Sequence, residues 1–434
     1  MRRAAPEALR DEIFAALARG DEASALRGIE ALRPHAPAEA AGLLTALHIE
    51  AGRAQEALAA WAECERCAPH DPYTVFLRAR IALLDGERHA ALDLLLPLMD
   101  APLSLAIAEK VYNIAGQCAR FLGRAREAVA FYARARDAAP DLVLKALNAS
   151  NVLFNRHYLP ATLAEDRAAA EEYGALFAAV RQFDHAGHGR GARLRIGYLS
   201  PDVREHVVLS FSYALMTALD PVRYEVTVYA LNAEDAYTEK VRQSVEHFRN
   251  LMQLSAEEAA HAIHRDGIDI LVDLAGHTAA RTLPILAHHP APVQISGIGY
   301  FDTTGLSAVD YFLTDVHTDP VGENDACFTE KLLRLPESHL CYRASRAGKD
   351  SRIAPLPARE KGFVTFGCFN NFAKVTDRVL HLWAKILRTV PRSRLFLKTA
   401  AFDAADGRQE ALRRIEAAGG GDVLASCEAC TRTR

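Results

Sequence analysis

Through the first third of the chain, apolar and small residues recur at the spacing of amphipathic helices, and glycines interrupt them at a nearly regular interval. The intervals are 32, 34 and 37 residues, and the glycines are Gly20, Gly52, Gly86 and Gly123. Five residues after each glycine stands an alanine, and four residues later a large side chain. A glycine permits a tight turn, a small alanine allows close helix packing, and the large side chain fills the groove. The pattern predicts four helical hairpins over roughly residues 6–142.

The repeat length resembles that of the tetratricopeptide repeat, about 34 residues. The resemblance implies an α-helical solenoid over residues 1–142, followed by a helical connector over residues 143–190. Solenoids present a concave groove, so a polypeptide acceptor or partner in the repeat groove is predicted. A generic alanine-rich helical bundle is the alternative interpretation of the same pattern.

After residue 191 the pattern changes to short apolar runs that alternate with amphipathic segments. Helices are predicted at residues 207–219 and 256–266. The runs predict buried strands at residues 194–200, 224–231, 268–274, 293–296 and 311–315. Strands that alternate with helices are typical of a parallel, doubly wound α/β sheet. Ligands of such sheets bind beyond the carboxyl ends of the strands.

A second α/β segment follows a polar linker at residues 346–361. Its predicted elements are a strand at 362–369, a loop at 370–374, a helix at 377–389 and a strand at 394–398. One helix and two strands are too few to bury both faces of a parallel sheet. An incomplete α/β unit is therefore predicted over residues 362–434.

Composition narrows the class of protein. Half of the 434 residues are hydrophobic and 24% are charged, as in globular proteins. The 51 Lys and Arg against 55 Asp and Glu give a net charge of −4. Nucleic-acid-binding proteins usually carry an excess of basic residues, so no nucleic-acid partner is predicted. The most apolar stretch, residues 92–108, is too interrupted by Asp and Pro to span a membrane. Eight scattered cysteines predict reduced thiols and a cytoplasmic location.

Polar side chains follow several of the predicted strands. Asp202 and His206 follow the first strand, the Gly-His-Thr run at residues 276–278 follows the third, and Tyr300 and Asp302 follow the fourth. A histidine can exchange a proton near neutral pH, so His206 is a candidate acid or base. Taken alone, His206 would more often be a surface histidine, and a cap at a strand end is the alternative interpretation of His277.

No metal site is predicted from the sequence. His261 and His264 lie one helical turn apart but have no third ligand at a suitable spacing. The pairs Cys64/Cys67 and Cys427/Cys430 also lack partners at the spacing of a zinc site. A solvated helix face and ordinary packing are the simpler interpretations.

Four stretches of the chain resemble the protein O-GlcNAc transferases and their SPINDLY-type relatives in plants and bacteria. They are RIGYLSPDVREH (195–206), DILVDLAGHTAAR (269–281), HPAPVQISGIGYFDTTGLSAVDYFLTD (289–315) with FTEKLLRLP (328–336), and FGCFNNFAKVTDRVLHLWAKILRTVPRSRLFLK (366–398). With the repeats, the resemblance reaches to about residue 400. It implies the GT-B architecture, with one complete Rossmann-like half at 191–345 and a partial second half at 362–434.

The resemblance also implies a reaction. Family members are inverting enzymes that move a sugar, typically GlcNAc from UDP-GlcNAc, to Ser or Thr of proteins, without a prosthetic group or metal. Charge develops on the leaving diphosphate and is stabilised by basic side chains and backbone N–H groups. By position in the motifs, His206 and Lys374 are the expected catalytic residues. The residues expected to bind the donor are Asn370, Asn371, Lys374, His277 and Thr278.

The second half departs from the family. Members hold the nucleotide mostly with segments after the strand that corresponds to 394–398, and residues beyond about 419 show no likeness to them. The interpretation at this point is a truncated second half with weak or absent transfer. The alternative function is a non-catalytic repeat protein that binds polypeptide partners.

Overall fold

The computed structural model describes residues 6–100, 103–189, 191–343, 353–399, 402, 405–419 and 427–430. Two compact units divide the chain: unit 1 comprises Met1–Ala139 and Pro355–Arg434, and unit 2 comprises Pro140–Ala354. Within the described residues, no helix combines the length and apolar character needed to cross a bilayer. Residues 346–352 of the predicted linker and most of the sequence after residue 419 lie outside the described residues.

The amino-terminal part of unit 1 is the predicted helical solenoid. Its eight described helices are α1 (Pro6–Ala18), α2 (Glu22–Leu32), α3 (Pro37–Glu50), α4 (Ala54–Cys67), α5 (Pro72–Leu84), α6 (Arg88–Leu95), α7 (Leu105–Phe121) and α8 (Ala125–Ala138). The four glycines of the sequence pattern separate the helices of each pair and have φ between +69° and +80°. The four alanines five residues later, from Ala25 to Ala128, are fully buried. The predicted turns and close helix contacts are thus confirmed.

Unit 2 contains a seven-stranded sheet in which every neighbouring pair is parallel. Its order is β3-β2-β1-β4-β5-β6-β7. The strands are β1 (Leu194–Ser200), β2 (Tyr224–Ala230), β3 (His247–Asn250), β4 (Ile270–Asp273), β5 (Val293–Gly297), β6 (Tyr311–Asp315) and β7 (Lys331–Leu335). The order of the strands runs outward from β1 to β3 on one side and from β4 to β7 on the other, so this is a doubly wound sheet and the predicted α/β class is confirmed.

The described residues of unit 2 form six α-helices. They are α9 (Leu142–Arg156), α10 (Leu163–Ala175), α11 (Val207–Thr217), α12 (Ala236–Arg242), α13 (Ala256–Arg265) and α14 (Thr282–Leu286). Side chains of α9 and α10, including Leu153 and Tyr173, join one apolar core with Leu199 of β1 and Leu271 of β4. The helical pair after the repeats therefore covers one part of this sheet. The opposite core contains Val228, Leu209 and Val272.

The carboxyl-terminal part of unit 1 contains more helices and strands than the sequence predicted. Helix α15 (Pro357–Lys361) precedes β8 (Thr365–Cys368), α16 (Asp377–Thr389) and β9 (Arg394–Lys398), which match the predicted elements. Helix α17 (Ala405–Gly419) and strand β10 (Cys427–Cys430) follow, and the parallel sheet has the order β10-β9-β8. The expectation of one helix and two strands is wrong, because β10 pairs in register with β9.

Helix α17 also contacts the solenoid within unit 1. The Asp406 carboxylate accepts the backbone N–H of His89, at 3.0 Å, near the beginning of α6. Glu410, one turn later and 5% exposed, lies 3.8 Å from the guanidinium of Arg124. Burial of a carboxylate would be unfavourable without such cationic neighbours.

Candidate functional site

The predicted polar residues of unit 2 lie where the sequence placed them, after the carboxyl ends of β1, β4 and β5. His206 begins α11 after β1, and the 276–278 turn follows β4. Because β1 and β4 pair directly, these two segments emerge from neighbouring strands. The loop that contains Tyr300 and Asp302 follows β5, the next strand of the sheet. This edge is the ligand-binding edge of doubly wound sheets.

His206 forms a pair with Asp202. The Nδ1 atom of His206 lies 3.3 Å from Oδ1 of Asp202, and the Asp202 residue is 8% exposed while the imidazole is solvent-accessible. The backbone N–H of Asp202 donates to the Ser200 hydroxyl at 3.0 Å, which fixes the loop after β1. The Arg204 guanidinium lies 3.7 Å from the same carboxylate oxygen.

The same nitrogen of His206 has a second partner. The backbone N–H of Val208 donates to Nδ1 at 3.4 Å, which makes the imidazole the N-cap of α11. When Nδ1 carries a proton it can donate to Asp202 instead, and Nε2 then presents its lone pair. Since the capping bond is long, the ion-pair arrangement is the stronger of the two for a charged imidazole. The chemistry available here is that of a histidine base oriented by a carboxylate.

His277 is buried and fully hydrogen-bonded. It is 3% exposed, Nδ1 lies 3.0 Å from the Ser150 hydroxyl on α9, and Nε2 lies 3.0 Å from the carbonyl oxygen of Thr304. The rings of Tyr173 and Tyr300 flank it at centroid distances of 4.5 and 5.1 Å. Burial lowers the pKa of His277 to about 3, so the imidazole is neutral at neutral pH. This side chain ties α9 to the loops after β4 and β5.

The turn that carries His277 is anchored by Asp273, which sequence reasoning did not single out. This fully buried carboxylate accepts the N–H groups of Ala275 (3.0 Å) and Gly276 (2.9 Å) and the Ser296 hydroxyl (2.7 Å). Burial raises the pKa of Asp273, and these hydrogen bonds act in the opposite direction. The only sequence signal was an acidic residue at the end of an apolar strand. Thr278 itself is exposed, and its hydroxyl donates to the Ala275 carbonyl at 2.6 Å.

In unit 1, the predicted donor-binding residues lie on the loop after β8. Asn370, Asn371 and Lys374 are exposed. The Asn371 side chain accepts the N–H of Ala373 at 3.1 Å and begins the 3-10 turn Phe372–Lys374. The turn brings the buried Phe372 ring into the local core and leaves Lys374 accessible to an anion.

The loop is held by Arg414 of α17, a second functional candidate that the sequence did not reveal. Its Nη2 donates to the Val375 carbonyl (2.7 Å) and to Asp377 (2.8 Å), and the guanidinium lies 5.3 Å from the Phe372 ring centroid. The arginine thus fixes both ends of the turn that carries Lys374. No local motif marked Arg414, because it lies 40 residues beyond Lys374 on a helix that was not predicted.

Comparisons with known proteins agree with the motifs. Residues 170–343 match the model of glycosyl transferase family 41. The probable UDP-N-acetylglucosamine–peptide N-acetylglucosaminyltransferase SPINDLY of Arabidopsis thaliana is 43% identical over 232 residues, which are 52% of this chain and 25% of that protein. The Petunia hybrida protein of the same name is 41% identical over 233 residues, with the same shares.

A solved structure is similar over the whole chain. A mutant of the Thermobaculum terrenum O-GlcNAc transferase superposes with a TM-score of 0.70 and 27% identity, covering 100% of this chain and 76% of that one. The chain spans about a quarter of the length of the curated relatives it matches. The resemblance to the O-GlcNAc transferase and SPINDLY family, and the fold that it implies, are thereby confirmed.

Proposed function

We propose that this chain takes part in inverting transfer of N-acetylglucosamine from UDP-GlcNAc to Ser or Thr hydroxyls of polypeptides. The observation that carries the proposal is the His206–Asp202 pair, an accessible imidazole beside a buried carboxylate at the ligand-binding edge of the unit 2 sheet. Support comes from its position inside the segment that matches glycosyl transferase family 41.

His206 acts as the base in the proposed reaction. As the acceptor oxygen attacks the anomeric carbon, Nε2 takes the hydroxyl proton, and the bond from that carbon to the UDP oxygen breaks with its electron pair leaving on UDP. Asp202 accepts a hydrogen bond from the Nδ1–H group and stabilises the imidazolium that forms. A carboxylate in this position acts through orientation and charge, and does not itself take the proton.

Lys374 is assigned to the charge that develops on the diphosphate. An exposed ammonium at a capped turn presents a cation to an approaching anion. Asn370 and Asn371 are proposed to add donors beside it, and Asn371 also keeps the turn closed. No metal is required for this step, because the lysine supplies the positive charge.

His277 and Thr278 are proposed to act on the donor from the turn after β4. The Thr278 hydroxyl, at an exposed position, is the group that can reach a ligand. His277 keeps the turn in place through its bonds to Ser150 and Thr304. Its role is therefore positioning, since both ring nitrogens already have partners.

The acceptor class and the location follow from the remaining features. A polypeptide acceptor is proposed to bind the groove of the repeats, because stacked helical pairs offer an extended concave surface. A cytoplasmic location is proposed from the cysteine usage. The proposed domain boundaries stay those of the sequence analysis: 1–142, 143–190, 191–345, 346–361 and 362–434.

Titration of the whole chain with UDP, followed by a transfer assay with UDP-GlcNAc and a Ser/Thr peptide, tests the proposal. We expect UDP binding that weakens roughly tenfold in Lys374→Ala, since one charge-assisted contact is lost. Lys385→Ala, which removes another exposed lysine of unit 1, is the matched control and should bind as the unaltered chain does. Peptide binding without UDP binding would instead favour a non-catalytic repeat protein.

A further inference from the structure

The loop after β1 carries both members of the His206–Asp202 pair, although it is not helical. Residues four apart approach each other on a helix because one turn brings their side chains together. None of residues 201–206 is helical, and His206 has the extended dihedral angles φ −147° and ψ 151°. The separation of 3.3 Å between Nδ1 of His206 and Oδ1 of Asp202 therefore needs contacts that hold the loop backbone.

Asn232, two residues after β2, contacts the residue next to Asp202. Its Oδ1 accepts the backbone N–H of Val203 and its Nδ2 donates to the carbonyl oxygen of Val203, both at 3.2 Å. The Thr238 hydroxyl of α12 donates to the same carbonyl oxygen at 2.6 Å. Asn232 and Thr238 are 6% and 0% exposed, so water cannot readily replace these bonds. Side chains from the segment after β2 thus bond both polar groups of the Val203 backbone.

Asp235 contacts the residue next to His206. One carboxylate oxygen, Oδ2, accepts the backbone N–H of Glu205 at 2.8 Å. The other, Oδ1, accepts the backbone N–H groups of Tyr237 and Thr238, both at 2.9 Å, and so caps α12. The two oxygens therefore have separate functions: one begins α12, and the other joins that helix to the loop after β1.

These contacts hold the loop beside each member of the pair. Val203 follows Asp202 directly, and Glu205 precedes His206 directly. Fixing these two neighbours sets the directions in which the carboxylate and the imidazole leave the backbone. A misplacement of about 1 Å in a reacting group can lower a rate by about a hundredfold. Support of this loop is therefore relevant to turnover as well as to folding.

We propose that Asn232 and Asp235 are positioning residues that keep the Asp202 carboxylate next to Nδ1 of His206. The inference rests on the proposed role of His206 as the base. Both residues act through the loop backbone. Loss of either should lower the turnover number and leave donor binding unchanged, because the charge of the diphosphate is assigned to Lys374.

Asp235→Asn separates the two functions of the Asp235 carboxylate. Asparagine is as good a helix N-cap as aspartate, so its side-chain oxygen can still begin α12. The amide has only one oxygen, and its NH₂ group cannot accept the backbone N–H of Glu205. Asp235→Ser is the second variant, because a serine hydroxyl also caps helices but replaces two oxygens with one.

Steady-state kinetics of the full chain with UDP-GlcNAc and a fixed Ser/Thr peptide is the first measurement. We expect kcat to fall roughly threefold to tenfold in both Asp235 variants, while KM for UDP-GlcNAc changes by less than about twofold. In the Asp202→Asn background, Asp235→Asn should lower kcat by less than about twofold, because the orienting carboxylate is already absent. An equal fall in kcat with and without the Asp202 carboxylate would overturn the proposal.

Ser255→Ala is the matched control for stability. The Ser255 hydroxyl caps α13 by accepting the backbone N–H of Glu258 at 3.3 Å, so this cap is of the same kind as that of α12. The variant should lose at least as much stability in urea unfolding as Asp235→Asn and should keep its kcat. If kcat fell as far in Ser255→Ala as in Asp235→Asn, loss of stability alone would account for both, and the proposal would be wrong.

A second measurement does not need transfer, so failure of the proposed function can be told apart from failure of this inference. Nuclear magnetic resonance of the ¹⁵N-histidine-labelled chain, in mildly alkaline buffer, reports which nitrogen of each neutral imidazole carries the proton. The His206 signals are those that His206→Gln lacks. We expect the Nδ1–H form, which can donate to Asp202, to be the major form in the unaltered chain and in Ser255→Ala. Its population should fall at least roughly twofold in Asp235→Asn.

The outcomes separate the two proposals. Absence of transfer by the unaltered chain would contradict the proposed function, and the histidine signals would still test the positioning of His206. A minor Nδ1–H form in the unaltered chain, or a population that is unchanged in both Asp235 variants, would overturn the positioning role.

Discussion

The imidazole of His206 and the carboxylate of Asp202 lie 3.3 Å apart, nitrogen to oxygen, and the carboxylate is the buried partner. A buried carboxylate beside an exposed imidazole can set which ring nitrogen is protonated. If transfer uses His206 as the base, the Asp202→Asn variant should lose roughly tenfold to hundredfold in kcat while KM for UDP-GlcNAc changes little. Steady-state kinetics with a fixed peptide acceptor measures both constants.

Asp220→Asn is the control for that variant. Asp220 is an exposed carboxylate of the same unit, and its side chain accepts the local backbone N–H of Val222 at 2.9 Å. Its substitution should leave kcat unchanged. An equal fall in kcat in both variants would argue against an orienting carboxylate. So would a change confined to KM in Asp202→Asn.

His277 should make the stability of unit 2 depend on pH. Its pKa of about 3 in the folded protein lies below the value of about 6.5 expected in the unfolded chain. The unfolded chain therefore takes up the proton first, and stability that is fully present above pH 6.5 is lost as the pH falls towards 3. The loss between pH 7 and pH 4 should be at most about 3 kcal/mol.

Urea unfolding at a series of pH values measures this dependence. The His277→Gln variant should be less stable at pH 7 but should show a flatter decline towards pH 4, because glutamine does not titrate. His317→Gln removes an exposed histidine of the same unit and should keep the full decline. An unchanged pH slope in His277→Gln would assign the decline to other groups.

Two glycines allow α10 to approach the loop after β5. A Cβ on Gly174 would lie 2.0 Å from the carbonyl oxygen of Gly305, and a Cβ on Gly305 would lie 1.9 Å from that of Ala170. Gly305 also has a φ of +73°. Either alanine substitution would push the backbone of α10 away from that of the loop after β5. Each should therefore lower the free energy of unfolding by about 3 kcal/mol or more.

Gly322→Ala separates steric contact from backbone strain. Gly322 has a φ of +85°, but nothing lies within 4 Å of its added Cβ. Its substitution should cost about 1 kcal/mol, from the left-handed conformation alone. Denaturant unfolding of the three variants ranks them, and a cost at Gly174 no larger than that at Gly322 would contradict the close approach.

Arg414 offers a test of whether the Lys374 turn needs support from α17. Arg414→Met removes the bonds to Val375 and Asp377 but keeps a side chain that can cover Phe372. UDP affinity should fall roughly threefold to tenfold, since a less ordered turn must be fixed on binding. Calorimetric titration with UDP measures the change.

Arg413→Met is the neighbouring control. Arg413 is 64% exposed and pairs with Glu410 of its own helix. We expect UDP affinity to stay within a factor of two of the unaltered chain. Loss of UDP binding in both variants would indicate a general weakening of α17 rather than support of the turn.

The sequence predicted those elements whose burial leaves a periodic pattern. The strands from β1 to β6 other than β3 were found because they are buried on both faces and read as apolar runs. Strands β3 and β7 were missed because they lie at the two edges of the sheet, where polar residues such as His247, Arg249 and Lys331 are tolerated. The short helices α12 and α14 are too brief to show a helical period.

Only those site residues that lie in local sequence motifs could be predicted. His206 and Lys374 stood in recognisable stretches, whereas Asp273 also bonds Ser296, 23 residues away, and Arg414 bonds Val375, 39 residues away. Tertiary contact between chemically ordinary residues leaves no local periodicity or spacing to detect.

The division of the chain into units has a consequence for its synthesis. Unit 1 is built from both ends of the chain and unit 2 from the middle. At ribosomal rates of about 5–20 residues per second, the repeats emerge roughly 13–53 seconds before the segment that contains Asp406 and Glu410. During that interval the contacts of His89 with Asp406 and of Arg124 with Glu410 cannot form, while unit 2 can already fold. Unit 1 is therefore completed after unit 2. Until then, the surface of the repeats that later contacts α17 is exposed to solvent and to chaperones.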